Sequence, residues 1–163
     1  MSTFGGFARR HYTNLRDLVT DARAIFARRR EIRALMRDEI LDAAFRERLM
    51  LVVTGVNACR YCSYAHAREA LAEGITPEEI EDLSEGALEG SPPDQMPALL
   101  YAQHWAEAEG NPDPEARKAV LARYGSDKVA AIELTLQMIQ MGNLSGNTFD
   151  YVLYKISGGR WGI

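Results

Sequence analysis

Apolar residues recur three and four positions apart along almost the whole chain, and nowhere do they alternate with polar ones. A period near 3.6 buries one side of an α-helix, whereas a half-buried strand needs a period of two. From Asn14 the face Leu15, Leu18, Val19, Ala22, Ile25 and Phe26 predicts a helix, and the pattern continues through Ile32, Leu35 and Met36 past the basic run Arg28-Arg29-Arg30, which reads as a solvated face or a helix end. Leu49-Met50-Leu51-Val52-Val53 on its own would suit a buried strand. The longer series Phe45, Leu49, Val52, Val53, Val56, starting from Ala43-Ala44, favours a helix, which Thr54-Gly55 is expected to weaken.

Punctuation supports the same reading. Asn57 reads as an N-cap for a helix from Ala58 to about Glu73, closed by Gly74. Thr76-Pro77-Glu78-Glu79 has the form of a capping box with proline at N1, and Ile75 and Ile80 stand at the staple positions. Helices are further predicted from about Met96 to Glu109, from Asp113 to Gly125, and from Ser126 onward with Val129, Ile132, Leu136 and Ile139 as its apolar side. Asn143 to Asn147, rich in Gly and Asn, predicts a turn before a last helix from Thr148 to about Ile156 and an irregular tail. The expected fold class is all-α: a helical bundle in a single domain over residues 1–163, a length that can bury a real core.

Composition narrows the function. A net charge of −4 argues against a general nucleic-acid binder, which needs a basic surface. No apolar run approaches the roughly 18 residues of a membrane span, and the first residues show no secretory signal, so a cytoplasmic protein is expected. Two cysteines are too few for a disulfide scaffold. Both stand in Cys59-Arg60-Tyr61-Cys62, where three residues of helix would set them on one face near the positive end of the dipole, an environment that favours thiolate. His66 follows Cys62 by four residues on the same face and can take its proton; Glu47, an ordinary surface residue if read alone, is suited to orient that imidazole. A zinc site would need further ligands, and only His11, His66 and His104 exist, so no metal is expected. Arg60 and Arg68 read as solvated, and Tyr61 and Tyr64 as packing residues. A thioredoxin fold would place the pair after a strand, which the helical period disfavours.

The run Phe45-Arg46-Glu47-Arg48, Asn57-Ala58-Cys59-Arg60-Tyr61-Cys62, His66, Ala70 and Gly74-Ile75-Thr76-Pro77-Glu78-Glu79-Ile80 resembles the alkylhydroperoxidase D / carboxymuconolactone decarboxylase family. The likeness covers about residues 41–84, the motif core, and leaves residues 1–40 as an N-terminal helical extension. It implies an all-α protein that assembles as a homo-oligomer, a trimer or a hexamer. It also implies a thiol-dependent hydroperoxidase or disulfide oxidoreductase with an antioxidant role. In that branch Cys62 would be the peroxidatic cysteine that becomes a sulfenic acid, Cys59 the resolving cysteine and proton donor, and His66 with Glu47 the proton relay. The pair would form a redox-active disulfide with no other cofactor, reduced by an external dithiol of the lipoyl or thioredoxin kind. One position departs from the family: a second histidine often precedes the second cysteine, and here Tyr61 stands there as an auxiliary group too weak a base near neutral pH. Two alternatives remain: a lyase or isomerase using Glu47 and His66 as acid and base, and a non-enzymatic redox- or metal-sensing subunit.

Overall fold

Short polar side chains mark the helix starts. In the computed structural model, which describes residues 6–37 and 40–162, Asn14 accepts from the Asp17 amide at 3.0 Å and opens α1 (Leu15–Ala27). Asp42 accepts from the Phe45 amide at 2.8 Å and opens α3 (Ala43–Asn57). Thr76 does the same for α5 (Pro77–Glu85) and Asp113 for α7 (Pro114–Ile156), each with proline in the first turn. Between these lie α2 (Arg29–Leu35), α4 (Arg60–Ala72) and α6 (Met96–Glu107), and no strand occurs among the described residues. The chain is therefore all-α, as its periodicity predicts. The expectations that fall on residues 1–5 and 38–39, the first residues and one joint of the N-terminal extension, lie outside the described residues.

The ambiguity at 49–53 has a structural cause. α3 is the central helix, packed against α4, α5, α6 and α7, so Leu49 to Val53 are buried without interruption. A helix enclosed on all sides loses its polar face and resembles a buried strand over any short window. Gly55 does not bend α3. A Cβ there would lie 2.4 Å from the Ser84 carbonyl oxygen, so glycine lets α5 cross in direct backbone contact. The capping box is half formed: Thr76 accepts from the Glu79 amide, but the Glu79 carboxylate turns to Arg48 of α3 at 2.7 Å and joins the two helices. The buried Arg46 guanidinium donates to the carbonyls of Leu35 and Leu41 at 3.1 and 2.9 Å, tying the end of α2 to the start of α3.

Of the two readings of the basic run, the helix end holds: the helical pattern from Asn14 divides at Arg28, whose backbone leaves helical geometry. No residue of α1 is buried; Leu15 and Phe26 are exposed and the helix packs mainly on α7. The largest correction falls on α7. Gly125, at φ 79°, breaks it where the sequence predicts, but Asn143 to Asn147 are helical and not a turn. Their side chains meet partners on other elements, which satisfies polar groups that would otherwise favour a loop. No helix among the described residues is long and apolar enough to cross a membrane.

Candidate active site

The site is built where α3 ends. Ala58 adopts a left-handed conformation at φ 53°, unusual for a residue with a Cβ, and turns the chain abruptly into α4. The helix cap consequently sits two residues later than the sequence expectation. Asn57 is the last residue of α3 rather than a cap, because its amide is held by Gln140 at 2.7 Å and Asn143 at 3.2 Å across on α7. Cys59 takes the N-cap position: its sulfur accepts from the Cys62 amide at 3.4 Å, and Cys62 lies at N3.

That geometry divides the two thiols. Cys59 is wholly buried and Cys62 only partly so. A hydrogen bond from the Cys62 thiol and those from the backbone amides of Cys62 and Tyr61 pull the Cys59 thiol down to about 6, against burial and the nearby Asp150 charge. The Cys62 thiol is pushed up, first by the adjacent Cys59 sulfur and then by burial; the Asn143 side chain bonds it and opposes the rise. The two thiols thus titrate as a pair, the first proton leaving more easily than from an ordinary thiol and the second less easily.

On the other side of Cys62 along α4, His66 Nδ1 meets Glu47 Oε2 of α3 at 2.8 Å. An ionised carboxylate only accepts, so Nδ1 carries the hydrogen and neutral His66 keeps its lone pair at Nε2. The two residues that the motif spacing singled out are brought together across a helix–helix contact, with both side chains mostly covered. His11 and His104 are engaged elsewhere, stacked on Tyr151 and accepting from the Asp113 amide. Among the described residues no group of three His, Cys, Asp or Glu side chains could hold a metal ion.

The far wall comes from α7, which the sequence reading did not connect to the site. Asn143, Gly146, Asn147 and Asp150 follow at helical spacing and face the cysteine loop. A Cβ on Gly146 would lie 2.8 Å from the Cys59 sulfur and 3.9 Å from that of Cys62, so both sulfurs pack against a bare backbone. Their shared spacing was the available signal, masked by a composition that suggests a loop. Arg60 is exposed, as expected, yet also pairs with Asp150 at 2.6 Å, and the Tyr61 hydroxyl donates to the same carboxylate at 2.7 Å. Tyr61 therefore belongs to a second polar cluster rather than to the Glu47–His66 pair; Tyr64 is exposed. A cleft of about 670 Å³ lined by Arg10, Tyr12, Asp21, Trp105 and Gln140 lies apart from both cysteines.

Neither a curated protein nor a solved structure matches the chain significantly. The family model described as the carboxymuconolactone decarboxylase family matches residues 22–108, from within α1 to the end of α6, and spans Glu47, both cysteines and His66. With that match over more than half its length, the chain belongs to the carboxymuconolactone decarboxylase family, which includes the alkylhydroperoxidase D-like proteins.

Proposed function

We propose that the protein is a thiol-dependent hydroperoxidase whose redox centre is the Cys59–Cys62 pair. The observation that carries this reading is the geometry of the pair: the Cys59 sulfur is wholly buried and accepts from the Cys62 amide, while Cys62 is partly exposed on the helix that also carries His66, paired with Glu47. In the first step the Cys62 proton passes to His66 Nε2, and the Cys62 thiolate attacks a peroxide oxygen. The O–O bond breaks, Cys62 becomes a sulfenic acid, and the departing alkoxide or hydroxide takes a proton from His66, held in place by Glu47. Cys59 thiolate then attacks the sulfenic sulfur; an S–S bond forms and hydroxide leaves, taking a proton from solvent to become water. An external dithiol restores both thiols and is itself oxidised to a disulfide. The exposed apolar side chains Leu15 and Phe26 on α1 favour assembly into a homo-oligomer.

Cys62→Ser should abolish dithiol-dependent peroxide consumption, and Cys59→Ser should leave a sulfenic acid that a dimedone-type probe traps. Consumption at the wild-type rate in Cys62→Ser would overturn the proposal. The Glu47–His66 pair needs no sulfur to act as acid and base, which favours a lyase or isomerase as the second reading. That activity would survive complete alkylation of both cysteines, whereas peroxidase turnover would not.

A further inference from the structure

Two stretches outside the family segment converge on the cysteine loop through one carboxylate. Asp150 of α7 has no exposed surface, yet its oxygens lie 2.9 Å from Arg9 and 2.6 Å from Arg60, with the Tyr61 hydroxyl at 2.7 Å. An ionised side chain without solvent is retained only where partners replace its hydration. Arg9 comes from the N-terminal segment and Asp150 from α7, and neither lies within residues 22–108. Arg60 and Tyr61, by contrast, are the two residues between the cysteines.

The backbone of that same turn holds the Cys59 sulfur. The amides of Tyr61 and Cys62 donate to it, so whatever anchors the side chains of Arg60 and Tyr61 also sets where those amides point. Tyr61 is fixed twice more: its ring packs by the Gly146 backbone and edge-to-face with Phe149 at 6.0 Å. Arg60 lies over the same ring, 5.0 Å from its centre.

We infer that Asp150 is a positioning residue for the cysteine pair: it clamps the Arg60–Tyr61 turn against α7 and presents a buried negative charge beside Cys59. The biological use of this device rests on the redox reading above, but the device itself concerns the thiols in the resting protein. The groups that face Cys59 are then the amides of α4, the Cys62 thiol, and Asp150 with its partners Arg9, Arg60 and Tyr61; Glu47 and His66 flank the pair from α3 and α4. Asp150 pushes the Cys59 thiol up, and its two arginines offset that push.

The test is titration of thiolate ultraviolet absorbance against pH in the reduced full-length chain, a readout that a merely structural staple would not move in opposite senses. In Asp150→Asn the amide oxygen can still accept from Arg60 and Tyr61, so the turn stays clamped while the anion is gone and two cations remain, and the Cys59 midpoint should fall by about one unit, which is roughly tenfold more thiolate below the midpoint. In Arg60→Gln, at a partly exposed side chain, the anion is less offset and the midpoint should rise. If Asp150→Asn does not fold by circular dichroism, Arg60→Gln decides alone. An unmoved midpoint in folded Arg60→Gln, or shifts of the same sign in both variants, would overturn the inference. Absence of peroxidase activity in the wild type with these shifts intact would defeat the proposed function and leave this inference standing.

Discussion

Replacing Gly146 with alanine tests whether the sulfurs lie where the structure puts them. Gly146 is in the middle of α7 with helical backbone, so intrinsic propensity alone would make alanine favourable by roughly 0.5–1 kcal/mol. The new methyl would stand 2.8 Å from the Cys59 sulfur, nearer than carbon and sulfur pack, with the Tyr61 ring already in contact at 3.4 Å. Neither neighbour is a free end: Cys59 is buried at a helix cap, and Tyr61 is tied to Asp150. Forced contacts of this kind cost about 1–3 kcal/mol. Gly142, one turn earlier on the same helix, supplies the control, since a Cβ there meets nothing within 4 Å. Gly142→Ala should therefore stabilise the reduced protein and Gly146→Ala destabilise it, the two differing by about 1–3 kcal/mol in denaturant unfolding. Displacing Cys59 from the amides of α4 should also move its thiolate titration upward in Gly146→Ala alone. Equal stability in the two variants, with one shared titration curve, would refute the packing of α7 on the cysteine pair.

Two further outcomes follow from the same geometry. Because the Cys59 thiol is lowered to about 6 in the folded chain from an ordinary value of 9.0, the unfolded chain binds more protons between those values. Stability of the reduced protein should thus rise with pH across that window and be lost as pH falls through about 6, a dependence absent from the disulfide form in parallel denaturation series. Gly55→Ala brings a methyl within 2.4 Å of the Ser84 carbonyl oxygen, and backbone cannot rotate away as a side chain can. It should lower the melting temperature by several degrees, at about 2–4 °C per kcal/mol for a chain of this size, and an unchanged melt would contradict the α3–α5 contact.

Local signals in the sequence carry everything that depends on neighbours along the chain. Helical period, the helix starts at Asn14, Thr76 and Asp113, and the break at Gly125 are all legible because each is decided within one or two turns. The Glu47–His66 pairing was legible too, through the motif spacing rather than through either residue alone. What could not be read is whatever depends on the opposite wall. Asn57 looks like a cap until Gln140 and Asn143 occupy its amide, and 143–147 look like a turn until Thr54, Asn57 and the sulfurs satisfy that face. The reason is physical: a buried polar or glycine residue is favourable only given partners far along the chain, so its meaning lies in the packing and not in its neighbours. By itself, then, the sequence determined that the chain is helical and that two thiols, a histidine and a glutamate share a motif. Only the tertiary structure decided the surroundings of Cys59, because the cap of α4 on one side and the bare backbone of Gly146 and the carboxylate of Asp150 on α7 reach that sulfur from two separate parts of the fold.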